Sequence, residues 1–488
     1  MATFLVMLLL NCLTSHLVAT QPEDVTGTII HLPLFRRGNR FSRREPANMT
    51  HLAEVLQAVE AKYAPSYREV EGNRLVRRWR MKDNDDENDP HLIDVAGHLD
   101  RWYTRFTVGE PPQSLEVELD MLSPDFYTVV TTSGKGTLYD ASASSTHGPN
   151  DDSVHAICRL PSDEFHFHLP FTSSSSSSSG STIGLRPIRL DFAVCRPSKS
   201  SRQTLAHAGT FLGLSPSSSS SRSTLSRLSA PSLLDQLHSK GAIAQKVWSV
   251  TLLDTETGIL SLGGTIVQEV EETKARVELE LKHFGDPVAT PDWIAEQVEG
   301  RLKLAMPRGD AWDAHFKWTN VRGAAGWWTA LMAGVWLNGA KVLKNQPILL
   351  DINIPFILAP PVAAQTFYDS IGGTKRLPSP YDAFFAFPCL NHVHIAFEIG
   401  GWNFPVMNGD GTAPDALYGP SGGMFSLGKV AQGTGYCVGS VVESRGLAHG
   451  EEWGGSGLKD VWVLGEPVFR GLGLVFDEEL GRVGVRTY

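Results

Sequence analysis

The chain has 488 residues, enough for two or three domains or for one large two-lobed protein with extra segments. Its 46 glycines and 29 prolines, with many short apolar runs bounded by turn residues, favour a β-rich protein over a helical bundle. The net charge of −10, without a basic stripe that carries interleaved aromatic residues, argues against a nucleic-acid partner.

The N-terminus has the pattern of a secretory signal peptide over residues 1–20. It contains no charged residue, has an apolar run from Phe4 to Leu10 and ends in small residues around Ala19. The apolar run is too short to span a bilayer. No later stretch is apolar over 18 residues, so we expect a protein that is secreted or stays in the secretory-pathway lumen, without a membrane anchor.

Residues 21–82 form a basic leader ahead of an acidic body. Residues 21–80 contain eleven Lys/Arg and seven Asp/Glu, a net charge of +4, which leaves −14 for the rest of a chain whose total is −10. One interpretation is a solvated surface that serves only solubility. The other is a pro-segment that lies against an acidic cleft and is later removed after Arg77-Arg78 or Arg80.

The leader also contains one predicted helix and one glycosylation triplet. Apolar residues recur at helical spacing behind a possible cap at Thr50, which favours a docked helix. These residues are Leu52, Val55, Leu56, Val59 and Tyr63. Asn48-Met49-Thr50 is an N-glycosylation triplet, which predicts a glycan on Asn48.

From Trp102 onward the pattern is strand, turn, strand, and it occurs twice. YTRFTVG, the turn EPPQ and SLEVELD predict a hairpin, and a second series begins near Trp327. In each half an apolar strand ends in aspartate. We therefore predict, after the signal peptide and pro-segment, an N-terminal β lobe at 100–270, an inter-lobe insertion at 271–325 and a C-terminal β lobe at 326–488.

The two strand-ending aspartates are Asp120 and Asp351. Two similar halves can bring such carboxyl groups together at a pseudo-twofold axis. Like charges at close range share one proton, so the pair can act as a base on water and as an acid on a leaving group. Four cysteines remain outside the signal peptide, and in an oxidising compartment they predict two disulfides with three possible pairings.

Several motifs resemble those of pepsin-like aspartic peptidases and occur in the order of that family. They are YTRFTVGEPPQSLEVELD, SPDFYTV, TFLGLSP, KVWSVTLLDTETGILSLGG, PILLD, FPCLNHVHIAFEIGGWNFPV, YCVGSVV and VWVLGEPVFRGLGLVFDEELGRVGV. The resemblance covers nearly the whole chain after residue 100. It implies a mainly β, bilobed fold with a cleft between two pseudo-symmetric lobes.

The resemblance also implies particular residues. Asp120 and Asp351 correspond to the catalytic pair, and Gly213 and Gly465 to glycines that let each catalytic loop pass close to a backbone of its own lobe. It further implies a disulfide between Cys389 and Cys437, which leaves Cys158 and Cys195 as the other pair.

Both catalytic loops depart from the family pattern Asp-Thr-Gly-Ser/Thr. The first loop has Met121, Leu122 and Ser123 after its aspartate, and the second has Ile352, Asn353 and Ile354. The family's threonine hydroxyls form a hydrogen-bonded bridge between the lobes, and neither Met nor Ile has a hydroxyl. The Tyr-Gly pair of the hairpin that closes the family's cleft is not found between Asp120 and Leu212.

Three functions agree with these observations. The first is a secreted endopeptidase in which Asp120 and Asp351 activate water to hydrolyse a peptide or protein in the cleft. The second is a catalytically impaired protein that binds peptides or proteins in the same cleft. The third is an enzyme acting on a small molecule in an apolar pocket lined by the altered loops. We expect a monomer, and no metal or cofactor is predicted.

Overall fold

The computed structural model describes residues 29–37, 46–63, 70–71, 74–75, 101–121, 123–129, 139–148, 151–155, 158–167, 186–195, 209–216, 231–252, 257–265, 316–322, 327–391, 393–408, 425–444 and 460–487. The signal peptide, the cleavage point at residues 77–80 and Leu122 lie outside them, as does most of the predicted insertion. The described chain is mostly strand, so the prediction of a mainly β protein is confirmed.

The first half contains one leader helix, one short helix and a 3₁₀ turn among its strands. The elements are β1 (Ile30–Arg37), α1 (Met49–Tyr63), β2 (Val70–Glu71), β3 (Arg74–Leu75), β4 (Arg101–Val108), β5 (Gln113–Asp120), β6 (Phe126–Val129), the 3₁₀ turn Ala141–Ala143, β7 (Asp151–His155), β8 (Cys158–Leu160), β9 (Ser162–His166), β10 (Ile188–Asp191), β11 (Ala193–Cys195), β12 (Thr210–Gly213), α2 (Leu233–Ser239), β13 (Val247–Leu252) and β14 (Thr257–Leu262).

The second half is also built mostly of strands, with two helices among the described elements. Its elements are β15 (Lys317–Asn320), β16 (Thr329–Leu337), β17 (Ala340–Leu350), β18 (Ile357–Ala359), α3 (Pro361–Ile371), β19 (Lys375–Arg376), β20 (Phe385–Pro388), β21 (His394–Ile399), β22 (Trp402–Asn408), β23 (Ser426–Lys429), β24 (Tyr436–Gly439), β25 (Val441–Glu443), β26 (Trp462–Leu464), α4 (Glu466–Gly471), β27 (Leu472–Asp477) and β28 (Arg482–Thr487).

The two halves contain the same strand arrangement. In the first half β4 and β5 are antiparallel, β5 and β12 parallel, β12 and β6 antiparallel, and β6 and β11 parallel. In the second half β16, β17, β26, β18 and β25 repeat these four pairings in the same order. Such a repeat agrees with the predicted pseudo-symmetric fold.

The predicted hairpin is confirmed, and its pattern explains its burial. β4 and β5 pair from Tyr103↔Glu118 to Val108↔Gln113. Along β4 buried and half-buried side chains alternate, because successive side chains of a strand point to opposite faces. The strand therefore contributes Trp102, Phe106 and Val108 to the main hydrophobic core.

The leader is part of the sheet and of the core. β1 lies between β4 and β14 and pairs with both, and its Ile30, Leu32 and Leu34 are fully buried. The predicted leader helix is confirmed as α1. Its N-terminus differs from the expectation, since Asn48 Oδ1, not Thr50, accepts the hydrogen bond from the His51 N–H.

One disulfide joins two neighbouring strands, and the other joins the residue after β20 to the neighbouring strand β24. Cys158 on β8 is bonded to Cys195 on β11, and Cys389 is bonded to Cys437 on β24. The first pair is also in cross-strand register. Within the described ranges, no helix has the length and apolar character needed to cross a membrane.

Candidate active site

Asp120 is the last residue of β5 and is held by the parallel strand β12. Gly213 is its register partner, and the Leu214 N–H donates to the Asp120 carbonyl at 2.7 Å. A Cβ on Gly213 would lie 2.3 Å from the Pro124 carbonyl carbon and 2.4 Å from the Asp125 oxygen. Only glycine permits this close passage of the loop over β12.

Asp351 occupies the equivalent place after β17. Its N–H donates to the Leu464 carbonyl at 3.1 Å, at the end of the parallel pair β17–β26. A Cβ on Gly465 would lie 2.1 Å from the Phe356 oxygen and 2.2 Å from the Ile354 oxygen. Each aspartate thus follows its strand next to a glycine that a side chain would force away.

The two aspartates differ in exposure. The Asp351 side chain is fully buried, whereas Asp120 is half-buried.

Ser123 retains the hydroxyl of the first loop, and this hydroxyl forms its hydrogen bonds within the loop. Its Oγ donates to Asp125 Oδ2 at 3.1 Å and accepts from the Asp125 N–H at 3.2 Å. Ser123 and Asp125 are both buried. A third buried carboxyl group, that of Asp125, is therefore hydrogen-bonded within the first loop.

The apolar replacements lie in the core. Met121, Ile352 and Ile354 are fully buried, and Ile354 packs in the same cluster as Leu52 and Val55 of α1. Leu122, the remaining apolar replacement, lies outside the described residues.

The loops bond to each other across the halves without the family's hydroxyls. The Ile352 N–H donates to the Met121 sulfur at 3.3 Å. The Asn353 carboxamide donates to the Leu119 carbonyl and accepts from the Trp102 N–H at 2.7 Å. The sequence did not predict these three hydrogen bonds, because they join positions more than 200 residues apart.

A partly buried ion pair lies beside the first loop. Arg101 on β4 is ion-paired with Glu118, two residues before Asp120 on β5. Burial alone would lower the pKa of the Arg101 guanidinium, but the charges of Glu118 and Asp120 outweigh it and raise that pKa above its ordinary value. Arg101 therefore carries a positive charge next to Asp120.

β9, which overlaps the segment DEFHFHLPF, and β10 form an antiparallel pair from Ile188↔Phe165 to Asp191↔Ser162. Residues 168–185, between the two strands, lie outside the described residues. No group of three or more His, Cys, Asp or Glu able to hold a metal occurs in the described part of the chain.

This geometry can be compared with known proteins. Residues 101–280 match the family model of the eukaryotic aspartyl proteases. Over this part the chain is similar to pepsin-like aspartic proteases. The match supports a protein of the general aspartic-peptidase type. The matched residues include Asp120 and Gly213 but end before Asp351. For the second half, the likeness to an aspartic protease rests on the internal repeat of strands. Comparison with curated proteins gives no match.

Proposed function

We propose that the chain is a secreted aspartic endopeptidase in which Asp120 and Asp351 together activate water. The observation that carries the proposal is that both aspartates follow equivalent strands of the internal repeat, β5 and β17, while their neighbours Met121 and Ile352 are hydrogen-bonded to each other. Contact between the two loops is what a shared-proton pair requires.

The proposed reaction uses one ionised and one protonated carboxyl group. The carboxylate takes a proton from water as the water oxygen attacks the peptide carbonyl carbon, and the carboxylic acid donates its proton to the carbonyl oxygen. The first aspartate then passes the proton taken from water to the departing nitrogen, and the carbon–nitrogen bond breaks. A hydroxyl of the intermediate returns a proton to the aspartate that had protonated the carbonyl oxygen. Both aspartates end in their starting forms.

We propose that the leader is a pro-segment. The supporting observation is a nearly buried ion pair between Arg36 of β1 and Glu466, at 2.9 Å. Glu466 directly follows Gly465 in the chain. Helix α1 packs against the loop that contains Ile354 and Phe356. The leader therefore contacts the structural support of the second aspartate. Removal of the leader would alter that support.

The proposed location and assembly rest on chemistry. Two disulfides require an oxidising compartment, which agrees with passage through the secretory pathway. Asn48 is exposed, as an N-glycosylation acceptor must be. We propose a monomer that binds a peptide or protein substrate.

A second function is favoured by two observations. Asp351 is fully buried and the Ser123 hydroxyl bonds to Asp125, an arrangement that also suits a protein that binds peptides without cleaving them. Such a binding protein would retain its ligand when either candidate aspartate is replaced by asparagine.

The test is digestion of a denatured protein and a peptide library between pH 3 and 7. The samples are the wild type after leader cleavage, Asp120→Asn and, as a matched control, Asp369→Asn on the exposed surface of α3. The proposal expects cleavage by the wild type and the control and none by Asp120→Asn. Peptide binding without cleavage in all three proteins would support the binding function instead.

A further inference from the structure

The side chain of Asn353 enters the end of the β4–β5 ladder. The registered pairs stop at Tyr103↔Glu118, and one further step of the same register would place Trp102 opposite Leu119. At this point Asn353 Oδ1 accepts from the Trp102 N–H at 2.7 Å, and Asn353 Nδ2 donates to the Leu119 carbonyl. A carboxamide offers the same donor and acceptor as a peptide group, so it occupies the ladder end as a piece of backbone would.

The same residue contacts the second aspartate. The Asn353 N–H donates to Asp351 Oδ1 at 3.1 Å, and Asn353 is nearly fully buried. Leu119, which accepts from the Asn353 side chain, directly precedes Asp120. One residue therefore connects the Asp351 carboxyl group with the strand that ends in Asp120.

We infer that Asn353 is a positioning residue that fixes the two candidate carboxyl groups relative to each other. The effect of this positioning on catalysis rests on the proposed function. Asn353, together with the Met121–Ile352 contact, thereby takes the bridging role that the hydroxyls of the family pattern would have.

The chemistry of the contacts requires asparagine. Aspartate offers no donor for the Leu119 carbonyl, and glycine, the residue of the family pattern, offers neither donor nor acceptor. Asn353 itself needs no left-handed backbone, since the described non-glycine residues with positive φ are Asn338 and Asn345. The position that the family pattern gives to glycine is therefore open to a side chain here.

The first experiment measures amide hydrogen exchange at single-residue resolution in full-length wild type, Asn353→Ala and Asn353→Asp. The matched control is Asn403→Ala, an exposed asparagine on β22. In the wild type we expect slow exchange of the Trp102 N–H. Exchange should be at least tenfold faster in Asn353→Ala, which has no acceptor for this N–H, and unchanged in the control. Asn353→Asp keeps the acceptor for the Trp102 N–H and loses only the donor to the Leu119 carbonyl, so its exchange at Trp102 should change less. Fast exchange in the wild type, or unchanged exchange in Asn353→Ala, overturns the inference.

The second experiment measures kinetics on the same proteins after leader cleavage. Because a displacement of about 1 Å at reacting groups can cost about a hundredfold in rate, kcat should fall by about that factor in the Asn353 variants while KM holds. Faster exchange with unchanged kcat overturns the positioning role. A wild type that cleaves nothing overturns the proposed function instead, and exchange at Trp102 then decides alone whether Asn353 joins the two loops.

Discussion

The backbone N–H of Ile352 donates a hydrogen bond to the thioether sulfur of Met121, 3.3 Å away and 231 positions earlier in the chain. Both residues are fully buried. A thioether is a weak acceptor, but here it meets an N–H group that would otherwise be buried without a partner. The contact joins the loops that follow Asp120 and Asp351.

Replacement of Met121 by leucine should reveal the value of this contact. Leucine has a similar volume but no acceptor, so the Ile352 N–H loses its partner while the packing changes little. We expect the free energy of unfolding to fall by about 1 to 3 kcal/mol. Denaturant titration measures it. Met332→Leu, at an equally buried methionine of β16, controls for the effect of replacing methionine by leucine in the core. An equal loss of unfolding free energy in both variants would contradict the role of the sulfur.

Gly213→Ala and Gly465→Ala should each be severely destabilising. The added Cβ would lie 2.3 Å or 2.1 Å from backbone atoms of the adjacent loop, so that loop must move. We expect a loss of at least about 3 kcal/mol of unfolding free energy, or failure to fold. Gly435→Ala is the matched control, because its Cβ would enter open space. Near-normal stability of either loop variant would contradict the close passage.

Acidification should weaken the docking of the leader through His31. Burial on β1 lowers the pKa of His31 to about 4 from 6.5. The folded state thus holds the neutral imidazole, whose Nδ1 bonds to the Ser261 hydroxyl at 2.8 Å. The stabilisation is complete above pH 6.5 and is lost as the pH falls to about 4, an effect on the order of 3 kcal/mol.

Unfolding measured at pH 7, 5.5 and 4 checks this prediction. His31→Gln, which cannot take up a proton, should flatten the decline in unfolding free energy between pH 6.5 and 4. His394→Gln replaces an exposed histidine and should leave the decline unchanged. A decline of the same slope in the His31 variant would show that other groups cause it.

The Asn48 glycan can be separated from the Asn48 helix cap. Thr50→Ala destroys the glycosylation triplet and leaves the cap from Asn48 Oδ1 to the His51 N–H. Asn48→Asp keeps a cap acceptor and also abolishes the glycan. Protein expressed through a secretory pathway should shift in mass on enzymatic deglycosylation only in the wild type. An unshifted wild type would contradict glycosylation at this residue.

The strands around the site could be predicted from local pattern. The alternation in β4 and β5 and the turn between them predict the hairpin, and the helical spacing from Leu52 to Val59 predicts α1. β1 was not predicted. Pro33 interrupts the run, and proline argues against a central strand because it has no N–H for the ladder. The structure nevertheless pairs Pro33 with Ile259 inside the sheet.

The bonds at the site could not be predicted from sequence. Met121 and Asn353 look like defects when they are compared with a motif, because a motif records residue types and not partners. Their partners, Ile352, Leu119 and Trp102, become neighbours only when the two halves pack together. The sequence carries one hint of these bonds. Both loops depart from the family pattern in the same way, because each lacks the threonine hydroxyl and each lacks the glycine.

The most direct test of a joint action of Asp120 and Asp351 is a double-variant cycle. It compares kcat of the leader-cleaved wild type, Asp120→Asn, Asp351→Asn and the double variant on one peptide substrate at the optimal pH. Groups that act as a unit are not additive, so each single change should abolish nearly all activity and the double variant should be no worse than either. Independent losses that multiply in the double variant, or full activity in Asp351→Asn, would contradict the dyad.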